Sequence, residues 1–339
     1  MEAIEQNPVY YDLAFEMPNH ADSIRLREWL AAYAERRYGA KSAAAVQAWM
    51  YLLEGPYRKG TNGTERSSIV AARPALNVKK SGPNAGLGIP YDPMLVIRAQ
   101  SALLKDADRL ALSRPYRFDI VDVQRQMMTN LGQLVHKKAA EAFTAKDKVA
   151  FALHSGRFLG LLKDMDELLY TRSEYSFDRW LTEARSWGET EEEKDLMERD
   201  ATSLVTIWGA DGDPRIFDYS WREWSGLING YYLPRWQKFY AMLQKHLDAG
   251  TDYQEEGLPL AYGREDFRAN DFYNQLAGWE LDYVARTGKA RTPATCGDEL
   301  DITRRLFDKY LKLSHEYYAD FSGVEGIGEE RTYENVGEE

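Results

Sequence analysis

The sequence predicts an all-α fold, a large multi-helix domain around an aromatic core. Apolar residues recur at helical spacing almost without interruption from Pro93 onward. No stretch alternates apolar and polar residues as a half-buried strand would, and no repeat of fixed period is visible. Aromatic residues make up 13% of the 339-residue chain, enough to fill a sizeable core.

Each element follows from local signals. Pro8 suits the first turn of a short helix with Val9, Tyr10, Leu13 and Phe15, since its missing N–H costs nothing there. Residues 23–38 form an amphipathic helix that Gly39 stops. A second runs from Ser42 to about Leu53 with Val46, Trp49 and Met50 on one side. Gly55 to Pro93 is rich in Gly, Pro, Asn and Ser and is expected to be a long loop, of the kind that is often functional or mobile. Asp119 opens a helix reaching Phe143, and Asp147 to Leu169 forms the next. That helix carries Asp164, Asp166 and Glu167 near its end. With no histidine at ligand spacing on the same face, a solvated helix end is favoured over a metal site.

Phe177, Trp180, Leu181, Ala184 and Trp187 mark the following helix, and the acidic run Glu189 to Glu193 starts another, where negative charge favours the N-terminus. Arg264 to Tyr283 carries Phe267, Phe272, Leu276 and Trp279, and Asp298 introduces a last helix with Ile302, Leu306, Tyr310 and Leu313. Ser322 to Glu339, rich in Gly and Glu, is expected to be a disordered acidic tail.

The stretch from Trp208 to Trp236 organises the second half. Gly209, Gly212 and Pro214 make a turn, and Asp218 is placed to cap a helix. Beyond Pro234, Trp236, Phe239, Tyr240, Leu243 and Leu247 keep helical spacing. Aromatics this dense either fill a core or wall a sugar site, because sugar rings present apolar C–H faces to them.

Composition excludes several classes. A formal charge of −11 argues against nucleic acid or an anionic membrane as the main partner. No apolar run approaches a membrane span, and the N-terminus lacks the regions of a signal peptide. Cys296 is the sole cysteine, so neither an internal disulfide nor a cysteine zinc site is available. There is no phosphate-cradling glycine loop, no Gly-x-Ser-x-Gly elbow and no His-Glu-x-x-His helix. The histidines, His20, His136, His154, His246 and His315, share no ligand spacing. No metal and no cofactor is expected, and carboxylate chemistry remains.

Several spaced motifs, in order, carry a family resemblance. They are Glu2-Ala3-Ile4-x-Gln6-Asn7-x-Val9-x-Tyr11, Arg36-Arg37-Tyr38-Gly39, Asp119-Ile120-Val121-Asp122-Val123-x-Arg125-Gln126 and Trp180-Leu181-x-Glu183-Ala184-Arg185. The densest is Thr206-x-Trp208-Gly209, Asp218-Tyr219, Trp224-x-Gly226-Leu227 and Tyr231-Tyr232-x-Pro234-Arg235-Trp236. Together they resemble the C-terminal region of alpha-N-acetylglucosaminidases. Ala3 stands where that family has glycine and Trp221 where it has asparagine, and the turn between Trp208 and Tyr219 is a little longer.

The resemblance implies the end of a retaining glycosidase that removes terminal alpha-linked N-acetylglucosamine from glycans, without a cofactor. It implies that residues 1–22 are the last piece of a (β/α)8 catalytic barrel, 23–322 an all-α C-terminal domain and 323–339 the tail. Glu2 matches the family's nucleophile; Trp208, Ile216 and Tyr219 match residues that close the substrate pocket. The acid/base glutamate and most of the barrel match no part of this chain, so the isolated chain is expected to be inactive, with the barrel as its partner. A secreted, periplasmic or lysosomal setting is implied in the same way. Two other readings stay open: a stand-alone helical carbohydrate-binding or interaction module, and an independent all-α glycosidase using acids such as Asp166 or Glu183.

Overall fold

A computed structural model describes residues 8–19, 24–57, 68–78, 87–208, 217–255 and 271–318. Its helices are α1 (Pro8–Glu16), α2 (Leu26–Tyr38), α3 (Ala43–Glu54), α4 (Met94–Lys105), α5 (Ala107–Leu110) and α6 (Arg114–Thr144). There follow α7 (Lys148–Leu169), α8 (Phe177–Arg185), α9 (Glu191–Leu204), α10 (Leu233–Ala249), α11 (Asp271–Ala285) and α12 (Glu299–Ser314). Among the described residues the only strand-like pairing is the isolated bridge between Ser176 and Ser225, so the fold is all-α.

Local chemistry starts and stops these helices much where the sequence predicts. Gly39 ends α2 in the left-handed region at φ 72°. The side chains of Ser42 and Asp147 accept the Ala45 and Ala150 amides to cap α3 and α7. Thr190 and Glu193 form a reciprocal capping box at α9, and Asp298 accepts the Leu300 and Asp301 amides at α12. The long helix α6 begins five residues before Asp119, because Pro115 serves as a helix-start residue. Trp187 lies beyond the end of α8 and is 83% exposed, so it is not part of that helix's apolar face.

The frame is α6 lying along α7, with α4 and α12 against α6, α3 on α4, and α10 on α7. Trp236 sits at its centre, fully buried, with His136 and Phe158 rings 4.7 and 4.6 Å away.

The segment expected to be a long loop is in part the opposite of a surface loop. Residues 68–75 thread through the core, with Val70, Ala71 and Ala72 wholly buried. Buried irregular backbone needs partners for its polar groups, and side chains supply them. The Val70 carbonyl accepts the Trp236 indole N–H at 3.3 Å, the Ala71 carbonyl an Arg235 guanidinium N–H at 2.7 Å, and the Pro74 carbonyl the Tyr273 hydroxyl at 3.0 Å. The rest of that expected loop between 58 and 67 and between 79 and 86, the start of the helix predicted from Arg264, and the acidic tail lie outside the described residues.

Candidate functional site

Two backbone bonds anchor the start of the aromatic stretch, and the first of them joins its two described sides. The Asp218 N–H donates to the Thr206 carbonyl at 2.7 Å, and the Trp208 N–H to the Ser203 carbonyl at 2.7 Å. Trp208 and Asp218 both adopt left-handed backbone, φ 56° and 61°, conformations that cost energy outside glycine. Ile207 and Phe217 turn inward onto Val284 of α11. Trp208 and Tyr219 turn outward instead. They are 37% and 45% exposed, and their rings lie 4.8 Å apart at 42°.

Beneath this rim lies a buried ionic network. Arg235, from the first turn of α10, donates to both Asp218 oxygens at 3.1 and 2.8 Å and to Glu280 of α11 at 3.0 Å. Arg73, from the buried coil, donates to the other Glu280 oxygen at 2.6 Å. The guanidinium of Arg235 also covers the faces of Tyr231 and Tyr232. Burial pushes the Asp218 carboxyl up to about 6, with Glu280 adding to the rise and Arg235 opposing it. Burial works against the charge of Arg235, yet Asp218, Tyr231 and Glu280 together hold it above the ordinary arginine range. Two arginines face two carboxylates, so the cluster is neutral when all four are ionised.

Asp218 therefore caps no helix. Its side chain is spent on Arg235, and the chain reaches α10 through one wide turn, Ile228–Tyr232, with π-helical bonding. Such a turn absorbs an extra residue and is frequent at functional sites. Glu280 and Arg73 escaped the sequence reading. A signal existed for Glu280: it occupies the apolar stripe of Tyr273, Leu276, Ala277 and Val284, where a lone charge demands a partner.

The other motif residues are structural. Arg37 grips Asp119 through two bonds of 2.6 and 2.7 Å, and Tyr38 donates to the same carboxylate at 2.8 Å. Arg125 joins Asp122 to Glu223, which also accepts the hydroxyls of Ser68 and Thr129. Arg185 gathers Asp195, Glu198 and Glu191.

In the acidic group at the end of α7, Glu167 is about half exposed, as a solvated helix end would be, but Asp166 is not. Burial raises the Asp166 carboxyl, although it accepts the Gly226 and Asn229 amides at 2.8 and 3.1 Å and the Ser225 hydroxyl. In doing so it caps the helix that carries the aromatic stretch. Asp164 accepts the Tyr310 hydroxyl and pairs with Lys309, and Glu167 pairs with Arg305. Glu183 is bound to Arg179 at 2.7 Å. Both acids of the independent-glycosidase reading thus have structural work. Among the described residues no group of His, Cys, Asp or Glu is placed to hold a metal ion.

Of the four site residues named from the resemblance, the structure places Trp208 and Tyr219 side by side; Glu2 and Ile216 lie outside the described residues.

Solved structures similar to this chain include a glycoside hydrolase. A family 89 glycoside hydrolase from Clostridium perfringens, in complex with PUGNAc, superposes with a TM-score of 0.78 at 28% identity. The match covers 94% of this chain and 34% of that one. A doubly substituted CpGH89 from Clostridium perfringens, in complex with its substrate GlcNAc-alpha-1,4-galactose, gives a TM-score of 0.80 at 28% identity, over 92% and 34%. Human alpha-N-acetylglucosaminidase is 32% identical over 316 residues, 91% of this chain and 39% of the relative. The chain thus spans well under half the length of each relative. Residues 29–309 match the alpha-N-acetylglucosaminidase (NAGLU) C-terminal domain, and the chain belongs to that family.

Proposed function

We propose that the chain forms the C-terminal part of a retaining alpha-N-acetylglucosaminidase, and that its helical domain completes the substrate pocket. The observation that carries this is the pair Trp208 and Tyr219, held half-exposed above a buried ionic network on strained backbone. A surface pair with no role would not need such support. Trp208 and Ile216 give apolar contact to the sugar and the Tyr219 hydroxyl hydrogen-bonds to it. Glu2 attacks the anomeric carbon.

A retaining glycosidase sets a second carboxyl roughly 5–5.5 Å from the nucleophile to protonate the leaving oxygen. In this reading the second carboxyl comes from a barrel outside these 339 residues. Residues 1–22 are the barrel's last piece, residues 23–322 the helical domain and residues 323–339 a tail. Exposed Tyr10, Phe15, Met17 and Leu26 support a docking face near that junction. Without the acid, proton transfer worth roughly 10²–10⁴-fold in rate is lost, and positioning with it, so the chain is inactive alone.

The test is hydrolysis of a chromogenic alpha-N-acetylglucosaminide by the isolated chain and by its full-length parent. Activity is expected only in the parent. There Glu2→Gln lowers kcat by about 10³-fold or more, and Tyr219→Phe raises KM by about tenfold with less effect on kcat. Turnover by the isolated chain, or an unimpaired Glu2→Gln parent, overturns the split site.

A further inference from the structure

A cleft of about 460 Å³ opens between α10 and α11, within the size range of small-molecule sites. Its floor is Trp279 and Tyr283, rings 5.7 Å apart at 32°. Both are braced from behind by the fully buried Tyr231, with centroids at 5.7 and 5.1 Å. Gly230 allows the closeness on that side, since a Cβ there would meet the Tyr283 hydroxyl at 3.1 Å. Tyr283 is only 8% exposed, yet its hydroxyl borders the cleft without a hydrogen-bond partner among the described residues.

The rim is cationic. Lys238 lies 5.4 Å over the Trp279 ring and Arg286 5.6 Å over the Tyr283 ring. Among the described residues neither is within ion-pair distance of a carboxylate, whereas Lys289 beside them is paired with Glu198. Among the described residues, none that lines the cleft is acidic. In a chain with 54 acidic and 43 basic residues, two cations with no carboxylate partner among the described residues, facing a cleft that none of the described acids lines, set it apart.

We propose that this cleft binds an anionic sugar, a ring bearing a carboxylate or a sulfate, as a second glycan site. Lys238 swings off the open face of Trp279, which takes the C–H face of the ring. Its acid group sits between Lys238 and Arg286, and the Tyr283 hydroxyl and the Gln237 amide take ring hydroxyls. Charge selects the anion, and the braced aromatic floor selects a sugar over a bare phosphate. None of these residues belongs to the rim of Trp208 and Tyr219. The proposal therefore stands whether or not the parent hydrolyses N-acetylglucosaminides.

Calorimetry on the 339-residue chain at low salt tests it with three tetrasaccharides. Hyaluronan tetrasaccharide carries carboxylates alone, sulfated chitotetraose sulfates alone, and chitotetraose no charge. At least one anionic probe is expected to bind about tenfold tighter than chitotetraose, and which one does identifies the acid group. Lys238→Ala and Arg286→Ala, both at exposed positions that leave the fold intact, each weaken that binding by about fivefold or more. Lys245→Ala, an exposed lysine on α10 outside the cleft, leaves it unchanged. Equal affinity for chitotetraose, no binding of either anionic probe, or equal weakening by Lys245→Ala overturns the site.

Discussion

Replacing Arg235 by methionine would test what holds the aromatic rim in place. The side chain is fully buried, and its partners Asp218 and Glu280 are 1% and 0% exposed. Without the guanidinium, two carboxylates remain in the core with only Arg73 beside them, and the Ala71 carbonyl loses its donor. Breaking a buried ion pair by removing one partner costs about 3–5 kcal/mol. Orphaning a buried carbonyl costs about 1–3 kcal/mol more. The expected loss is therefore about 4–8 kcal/mol, much of the roughly 5–15 kcal/mol that keeps a domain folded. Arg235→Lys keeps the charge but not the planar fork that spans both carboxylates and the carbonyl, and should fall between. Urea denaturation followed by tryptophan fluorescence and far-UV circular dichroism reads the change. The deficit should grow from pH 5 to pH 8. With the cation gone the folded Asp218 carboxyl holds its proton to higher pH than in the unfolded chain, so its stabilisation is present at low pH and lost as pH rises. The triple variant Arg235→Met, Asp218→Asn, Glu280→Gln removes the uncompensated charges and should recover about half the loss or more. A single variant within about 1 kcal/mol of the parent would refute the reasoning, as would a triple variant no more stable than the single.

Three other outcomes are expected. Asp166→Ala leaves the Gly226 and Asn229 amides uncapped and should cost about 1–2 kcal/mol in thermal unfolding, while leaving kcat of a full-length parent unchanged. Burial holds His136 down at about 4, so it contributes stability above its ordinary 6.5 that is lost as pH falls toward 4. That amounts to about 3 kcal/mol. Asp218 acts in the opposite sense between its ordinary 3.8 and about 6, its stabilisation being lost as pH rises. Urea midpoints of His136→Gln should therefore fall less on acidification than those of the parent, and identical pH curves would contradict the assignment. Trp208→Gly relieves a left-handed backbone at φ 56° but gives up the Tyr219 ring contact. Its thermal stability should stay within about 1 kcal/mol of the parent, while kcat/KM of the full-length enzyme drops.

The sequence reading missed more at partners than at elements. Asp218 looked like a helix cap because aspartate beside a helix usually is one; its carboxylate is taken by Arg235 instead. Asp166 looked like part of a solvated end because acidic clusters on helices usually are; it is claimed by the Gly226 and Asn229 amides, while Glu167 stays half exposed. Arg235 anchors α10 to two carboxylates, Asp218 and Glu280.

The sequence by itself determined the all-α class, most helix starts and stops, and the family. Helical periods and caps act over about four residues, so Ser42, Asp147, Thr190 with Glu193, and Asp298 announce themselves locally. Only the tertiary structure decided which charges meet, that residues 68–75 run through the core, and that Trp208 and Tyr219 face outward together. Arg37 and Asp119 are 82 residues apart, and Arg73 and Glu280 are 207 apart. A charge in a sequence demands a partner only once it is buried, and which partner it meets is chosen by how the helices pack.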